Sequence, residues 1–138
     1  MNLETIIEDF EFFDDWEDRY KYIMDLGKSL DPLSDDDYGK TNKVDGCASQ
    51  VWLIINEEEV NEKTILKLKA DSDSFLVKGL LAIIISIFSG KTPSNILKIN
   101  YNDELDKLNL KENISQQRSN GLTAVINKVI VKHKKELN

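Results

Sequence analysis

The run Leu80-Leu81-Ala82-Ile83-Ile84-Ile85-Ser86-Ile87-Phe88 constrains the fold of this chain more than any other stretch. It is about half the length of a membrane span and apolar almost throughout, so it reads as a helix buried in a soluble core. Asp71-Ser72-Asp73-Ser74 supplies an N-cap cluster ahead of it, and Gly90 stops it just after Ser89. Leu3, Ile6, Ile7, Phe10 and Phe13 follow helical spacing, as do Trp16, Tyr20, Ile23 and Leu30. Asp14 or Asp15 caps the second of these helices, and Pro32 ends it. Residues 31–45 then form a polar, Asp-rich loop. Gln50 to Asn56 reads as a strand, Glu57 to Glu62 as the polar turn of a hairpin, and Thr64 to Ala70 as the returning strand. Thr92-Pro93-Ser94 restarts a short helix. Ser115 opens the last helix, with its stripe at Leu122, Val125, Ile126, Val129 and Ile130. The order α-α-β-β-α-α predicts one α+β domain over residues 1–138, a small antiparallel sheet with helices packed against it.

The composition, 41% hydrophobic, supports a folded globule. No signal or transit peptide is readable at Met1-Asn2-Leu3-Glu4-Thr5, and no membrane association is expected; the reading is a soluble, cytoplasmic protein. The net charge of −7 hides an asymmetry, with −13 over residues 1–62 and +6 over the remainder. Nucleic acid is therefore an unfavourable partner for the first half, whereas a protein with some basic surface would meet it well. Lys132, Lys134 and Lys135 read as a solvated helix end.

Chemistry narrows to one residue. The chain has one Cys and one His, which excludes a disulfide, a CxxC pair and a Cys/His metal cage. Asp35-Asp36-Asp37 are consecutive and lack the alternating spacing of a calcium loop. His133 lies between Lys132 and Lys134 and reads as a solvated surface histidine, not as a base for Cys47. No glycine-rich phosphate loop exists, so no cofactor is expected. Cys47 remains, in Val44-Asp45-Gly46-Cys47-Ala48-Ser49-Gln50, at the join between the polar loop and the apolar strand. One-thiol chemistry leaves a nucleophile, a modification site, a carrier or an inert buried residue.

The run Asn42-Lys43-Val44-Asp45-Gly46-Cys47-Ala48-Ser49-Gln50-Val51-Trp52 resembles the signature of the SufE family, sulfur-accepting partners of cysteine desulfurases. Ala70-Asp71-Ser72-Asp73-Ser74 with Val77-Lys78-Gly79-Leu80 is similar to that family's ADSDA…VKGL block. Ser89-Gly90-Lys91-Thr92-Pro93 matches its SG-TP turn, and Ser115-Gln116-Gln117-Arg118-Ser119-Asn120-Gly121-Leu122 its SP-x-R-x-NGL block. Trp16, Arg19-Tyr20 and Leu26-Gly27 fit its opening helix. The likeness runs from about Ile6 to Val131, with one departure, Gln116 where the family often has proline.

This resemblance implies a SufE/IscU-like fold. It also implies a sulfur-relay protein and desulfurase activator that is not itself an enzyme. Cys47 would take sulfur as a persulfide from a SufS-like cysteine desulfurase and pass it to a downstream Fe–S scaffold protein for iron–sulfur cluster assembly. A second thiol nearby would release the cargo as sulfide, so a lone cysteine suits a carrier. Arg118 is the implied support for the thiolate. Gly46, Ala48, Ser49, Asp71, Asp73, Asn120 and Gly121 are the implied partner-binding residues. Gly121, costly inside a helix by ~1 kcal/mol, points to close packing against the cysteine loop. Two other readings stand beside the carrier: a peroxidase-like thiol enzyme, and a protein-binding module with an inert cysteine.

Overall fold

The computed structural model describes the backbone of residues 2–137 and the side chains of residues 2–132. Helices α1 (Leu3–Phe12) and α2 (Trp16–Lys28) open the chain. A 3₁₀ turn at Asp35–Tyr38 leads to the hairpin of β1 (Val51–Val60) and β2 (Lys63–Ser72), and α3 (Phe75–Phe88) follows directly. Four helices complete the domain: α4 (Pro93–Lys98), α5 (Tyr101–Asp106), α6 (Leu110–Asn113) and α7 (Gln116–Leu137). The architecture is α+β, with a two-stranded antiparallel sheet and helices packed against it.

The apolar run is the centre of the molecule. Val77, Leu80, Leu81, Ala82, Ile83, Ile84, Ile87 and Phe88 of α3 are all buried, each large one contributing ~1.5–3 kcal/mol relative to exposure. Alternate residues of the hairpin, Val51 and Leu53 on β1 and Leu66, Leu68 and Ala70 on β2, turn one face of the sheet inward. Helix α7 adds Leu122, Val125, Ile126 and Val129 to the same cluster. Helix α2 approaches α3 backbone to backbone. A Cβ built on Gly79 would stand 2.0 Å from the Ile23 carbonyl oxygen, and one on Gly27 2.8 Å from the Gly79 nitrogen.

Capping follows the sequence. Asp15 accepts from Asp18 N–H, Ser74 from Val77 N–H and Thr92 from Asn95 N–H, with Pro93 opening α4. Arg19 donates to the carbonyls of Phe10 and Phe13 and covers the Trp16 ring, closing the α1–α2 corner.

Two expectations need correction. Glu57–Val60 is strand, not turn; the turn is Asn61-Glu62, both at positive φ (50° and 67°), as a two-residue hairpin connection requires. This end of β1 lies in solvent, so its apolar alternation stops while pairing continues, even opposite Glu57, where Leu66 of β2 stays buried. Its residues are held by cross-strand contacts such as Glu58–Lys67 and Glu59–Thr64. Second, α5 and α6 fill the stretch between α4 and α7. They are single turns that bury Leu105, Leu108 and Leu110 around a left-handed Asn109, too short to show a period.

The close crossing gives a stability prediction. Gly79→Ala should cost ~3 kcal/mol or more, because the methyl meets backbone that cannot swing aside. Gly90→Ala, at φ 82° with nothing within 4 Å of its new methyl, should cost only about 1–2 kcal/mol of backbone strain. Urea denaturation midpoints read both, and equal losses would contradict the backbone contact.

Candidate functional site

Cys47 is carried on a loop pinned at its base. Lys43 bridges Trp52 antiparallel, Val44 N–H donates to Val51 O at 2.9 Å, and Leu53 N–H donates to Asn42 O at 2.8 Å. Residues 42–44 thus lie as a strand stub on the edge of β1, and residues 45–50 are forced into a closed loop. Gly46 turns the chain at φ 89°, a region that other residues enter only at a cost. The far root is tied to the β2–α3 turn, where Gln50 N–H donates to Asp73 Oδ1 at 3.0 Å and Asp73 N–H donates to Gln50 O at 3.3 Å.

The loop lays Cys47 on the second turn of α7. Its half-buried Sγ–H points at the Gly121 carbonyl oxygen, 3.7 Å away. A Cβ on Gly121 would lie 3.3 Å from the sulfur, so the absence of a side chain there lets the thiol settle. Beside it is a narrow cleft with room for about one water molecule (about 20 Å³), walled by Val77, Leu80 and Leu81 of α3 and by Leu122 and Val125 of α7. Gln117 and Arg118 form its polar rim. Burial pushes the Cys47 thiol above its ordinary pKa, and the Asp45 carboxylate pushes it further. Both act toward the protonated form.

The other expected residues gather around this loop. Gly46 and Ala48 are exposed and Ser49 is half-buried. Arg118 is exposed in the first turn of α7, its N–H bonded to Ser115 Oγ at 3.2 Å. Asn120 accepts from Gln116 Nε2 at 2.9 Å, so the glutamine that departs from the family pattern braces the start of α7. Asp73 grips Gln50, as described, and Ser74 alone of its cluster is the N-cap of α3. Asp71 lies on β2. Its carboxylate accepts from Tyr38 Oη and from Ser72 N–H (2.8 Å) and pairs with Lys78 Nζ at 3.3 Å. The side chains of His133, Lys134 and Lys135 lie outside the described residues, whereas Lys132 Nζ donates to Ile55 O at 3.1 Å. Among the described residues no three His, Cys, Asp or Glu side chains come together as a metal would require.

The family model described as SufE, Fe-S metabolism associated domain, matches residues 4–132. The chain belongs to the SufE family. Uncharacterized SufE-like proteins of Rhizobium etli and Rhizobium meliloti are each 44% identical to it over 128 residues. The match takes in 93% of this chain and, respectively, 86% and 91% of theirs. The solution structure of a hypothetical protein from Thermus thermophilus superposes with a TM-score of 0.72, covering 98% of this chain and 95% of that one. At 17% identity that likeness concerns the fold. The association of this SufE-family chain with Fe–S metabolism follows from the family, and no helix among the described residues is long and apolar enough to cross a membrane.

Three residues of the site are absent from the reading of the sequence: Tyr38, Asp45 as a charge on the thiol, and Gln50 as the anchor of the loop. For Tyr38 a signal existed, the one aromatic of residues 31–45, placed directly after Asp35, Asp36 and Asp37.

The raised thiol pKa has a defined pH consequence. A thiol whose folded pKa lies above its unfolded value adds stability that is fully present below the unfolded pKa and is lost as pH rises through the folded one. Alkylation of Cys47 by iodoacetamide should therefore reach half its maximal rate at a higher pH in the native chain than in the urea-denatured chain. Asp45→Asn should bring that midpoint part of the way down, because burial, the larger cause, remains. A native midpoint at or below the denatured one would overturn this account of the site.

Proposed function

We propose that this chain is a sulfur acceptor and carrier that takes persulfide sulfur onto Cys47 from a SufS-like cysteine desulfurase. It passes the sulfur to a downstream Fe–S scaffold protein. The observation that carries the reading is the setting of the chain's one thiol, on a braced loop against a narrow apolar cleft rimmed by Arg118. In the transfer, Cys47 gives up its proton and attacks the terminal sulfur of the enzyme's persulfide. A new S–S bond forms on Cys47, and the old S–S bond breaks with its electron pair leaving on the enzyme's cysteine, which regains a proton. No net oxidation occurs, so no second thiol or redox partner is needed. The cleft has room for one more atom beside Sγ, which would keep the added sulfur from water and stray thiols.

The features that quiet the thiol at rest also speak against the peroxidase-like alternative, which needs a thiolate stabilised in an electropositive setting. Here burial and Asp45 do the opposite. Gly46, Ala48, Ser49, Arg118 and Asn120 line or flank the exposed side of the loop and would meet the desulfurase, while Asp71, Asp73 and Gly121 hold the loop from beneath. Asp45 beside Cys47 favours a partner with cations at the contact, which would attract the loop and lower the thiol pKa together. The cytoplasm, where a lone thiol stays reduced, is the fitting compartment. The isolated chain would have no turnover of its own.

Alanine production by a cysteine desulfurase, measured with and without this chain, tests the proposal. The native chain should stimulate it to saturation and should gain sulfur on the Cys47 peptide by mass spectrometry. Cys47→Ser should dock without stimulating and so compete with the native chain. Stimulation by the serine variant equal to native would leave only a binding module with an inert cysteine. Arg118→Ala should keep its thermal midpoint within a few degrees, since the side chain is exposed, and should slow sulfur uptake. Normal uptake with lost stability would make Arg118 structural.

A further inference from the structure

The two carboxylates at the end of β2 hold opposite roots of the Cys47 loop. Asp73 takes the outgoing root through Gln50. Asp71 takes the incoming side through Tyr38, whose hydroxyl donates to Asp71 Oδ2 and whose ring stands edge-on to Trp52 with centroids 5.1 Å apart. Trp52 is the residue that bridges Lys43 in the stub. From the same 3₁₀ turn, the Asp37 carbonyl oxygen accepts from Asn42 Nδ2 at 3.1 Å. The turn is therefore joined both to the sheet and to the stub that carries the loop.

Little else holds this segment. Leu33 and Val44 are buried, and none of the residues between them is. With no apolar burial over that span, attachment rests on polar contacts and on the Tyr38 ring. Asp71 makes a firm post, because Lys78 and the Ser72 N–H also engage its carboxylate and its side chain is only 20% exposed. The ordinary expectation for an exposed tyrosine is a solvated side chain. Here the hydroxyl is engaged strongly enough that the hydrogen bond to Asp71, followed by burial and nearby carboxylates, moves its pKa up to about 12.

We infer that Tyr38 is a positioning residue for the sulfur-accepting loop: bonded to Asp71 and packed edge-on against Trp52, it holds the 42–44 stub on β1 and keeps Cys47 seated against Gly121. This rests on the reading of Cys47 as the acceptor for its functional meaning, although its structural content can be measured without any sulfur chemistry. With the hydroxyl removed, the span from Leu33 to Val44 loses its middle anchor. The stub then lifts more often, and the thiol leaves its cleft more often.

The test uses the full chain with Tyr38→Phe, which keeps the ring on Trp52, with Asp71→Ala, and with both. Cys47 alkylation by iodoacetamide at fixed pH should quicken about three- to tenfold in each single variant, the range expected for a hydrogen bond to a charged group in a partly exposed setting. The double variant should be no faster than the faster single one, because the pair acts as one contact. Hydrogen exchange should quicken at the Val44 and Leu53 amides and stay native at core amides such as Ile84 and Val125. A general loss of stability would move all of them together. Native alkylation and native exchange in Tyr38→Phe would overturn the inference, as would single effects that multiply in the double variant. Sulfur uptake from a desulfurase, run on the same proteins, separates the two claims. Faster alkylation with no sulfur on Cys47 in any chain supports the positioning role and removes the acceptor role. Sulfur uptake with unchanged alkylation and exchange in Tyr38→Phe does the reverse.

Discussion

The burial of the broad apolar face of α3 is the constraint from which the rest of the structure follows. A helix that carries Leu80, Leu81, Ile83, Ile84, Ile87 and Phe88 along one broad face, with Gly79 and Ala82 buried beside it, must be covered over that whole arc. The hairpin supplies one cover, α7 another, and α2 a third, which can come close enough only because Gly27 and Gly79 remove side chains from the crossing. The same helix begins where the site begins. Val77, Leu80 and Leu81 are both the first core residues of α3 and a wall of the cleft beside Cys47. The end of β2 and the turn that leads into α3 carry Asp71, Asp73 and the Ser74 cap. The cleft is therefore built on the buried core of the molecule, while Cys47 sits on a loop resting against it.

That division suits the proposed carrier role. Catalytic cysteines are placed beside cations or helix N-termini that hold the thiolate ready. Cys47 is placed against a helix carbonyl and apolar side chains, with a carboxylate two residues away. Such a thiol resists passing oxidants and electrophiles. The cost is low intrinsic reactivity, acceptable only if the sulfur donor arrives on a partner that changes the setting.

Much of the fold was legible because it rests on local signals. The apolar run of α3, the caps at Asp15, Ser74 and Thr92, and the stripe of α7 are each written in neighbouring residues. The outer half of the hairpin was not legible, because Glu57–Val60 is held by cross-strand pairs whose partners stand several residues away in the chain. At the site, the resemblance to the SufE signature drew attention to Cys47, Arg118 and Gly121, and the structure places all three on one cleft. Tyr38 lay hidden for a different reason. Its role depends on Asp71, thirty-three residues on, and on Trp52 across a bridge, contacts that no local pattern encodes.

The two influences on the thiol differ in what motion can do to them. Burial is lost as soon as the loop lifts from α7. Asp45 is not lost, because it belongs to the same loop and travels with the sulfur wherever the loop goes. A free, lifted Cys47 would thus still be pushed toward its protonated form by Asp45. Opening the loop exposes the thiol without activating it. Activation needs a cation from outside the loop. On this chain Arg118 is the cation that lines the cleft, and it stands on α7, which the loop must leave. A lifted thiol therefore meets full activation only where a docked protein holds loop, arginine and its own cations at one place. Under the proposed carrier role, exposure and reactivity would have separate causes, and the persulfide would be accepted where the two coincide.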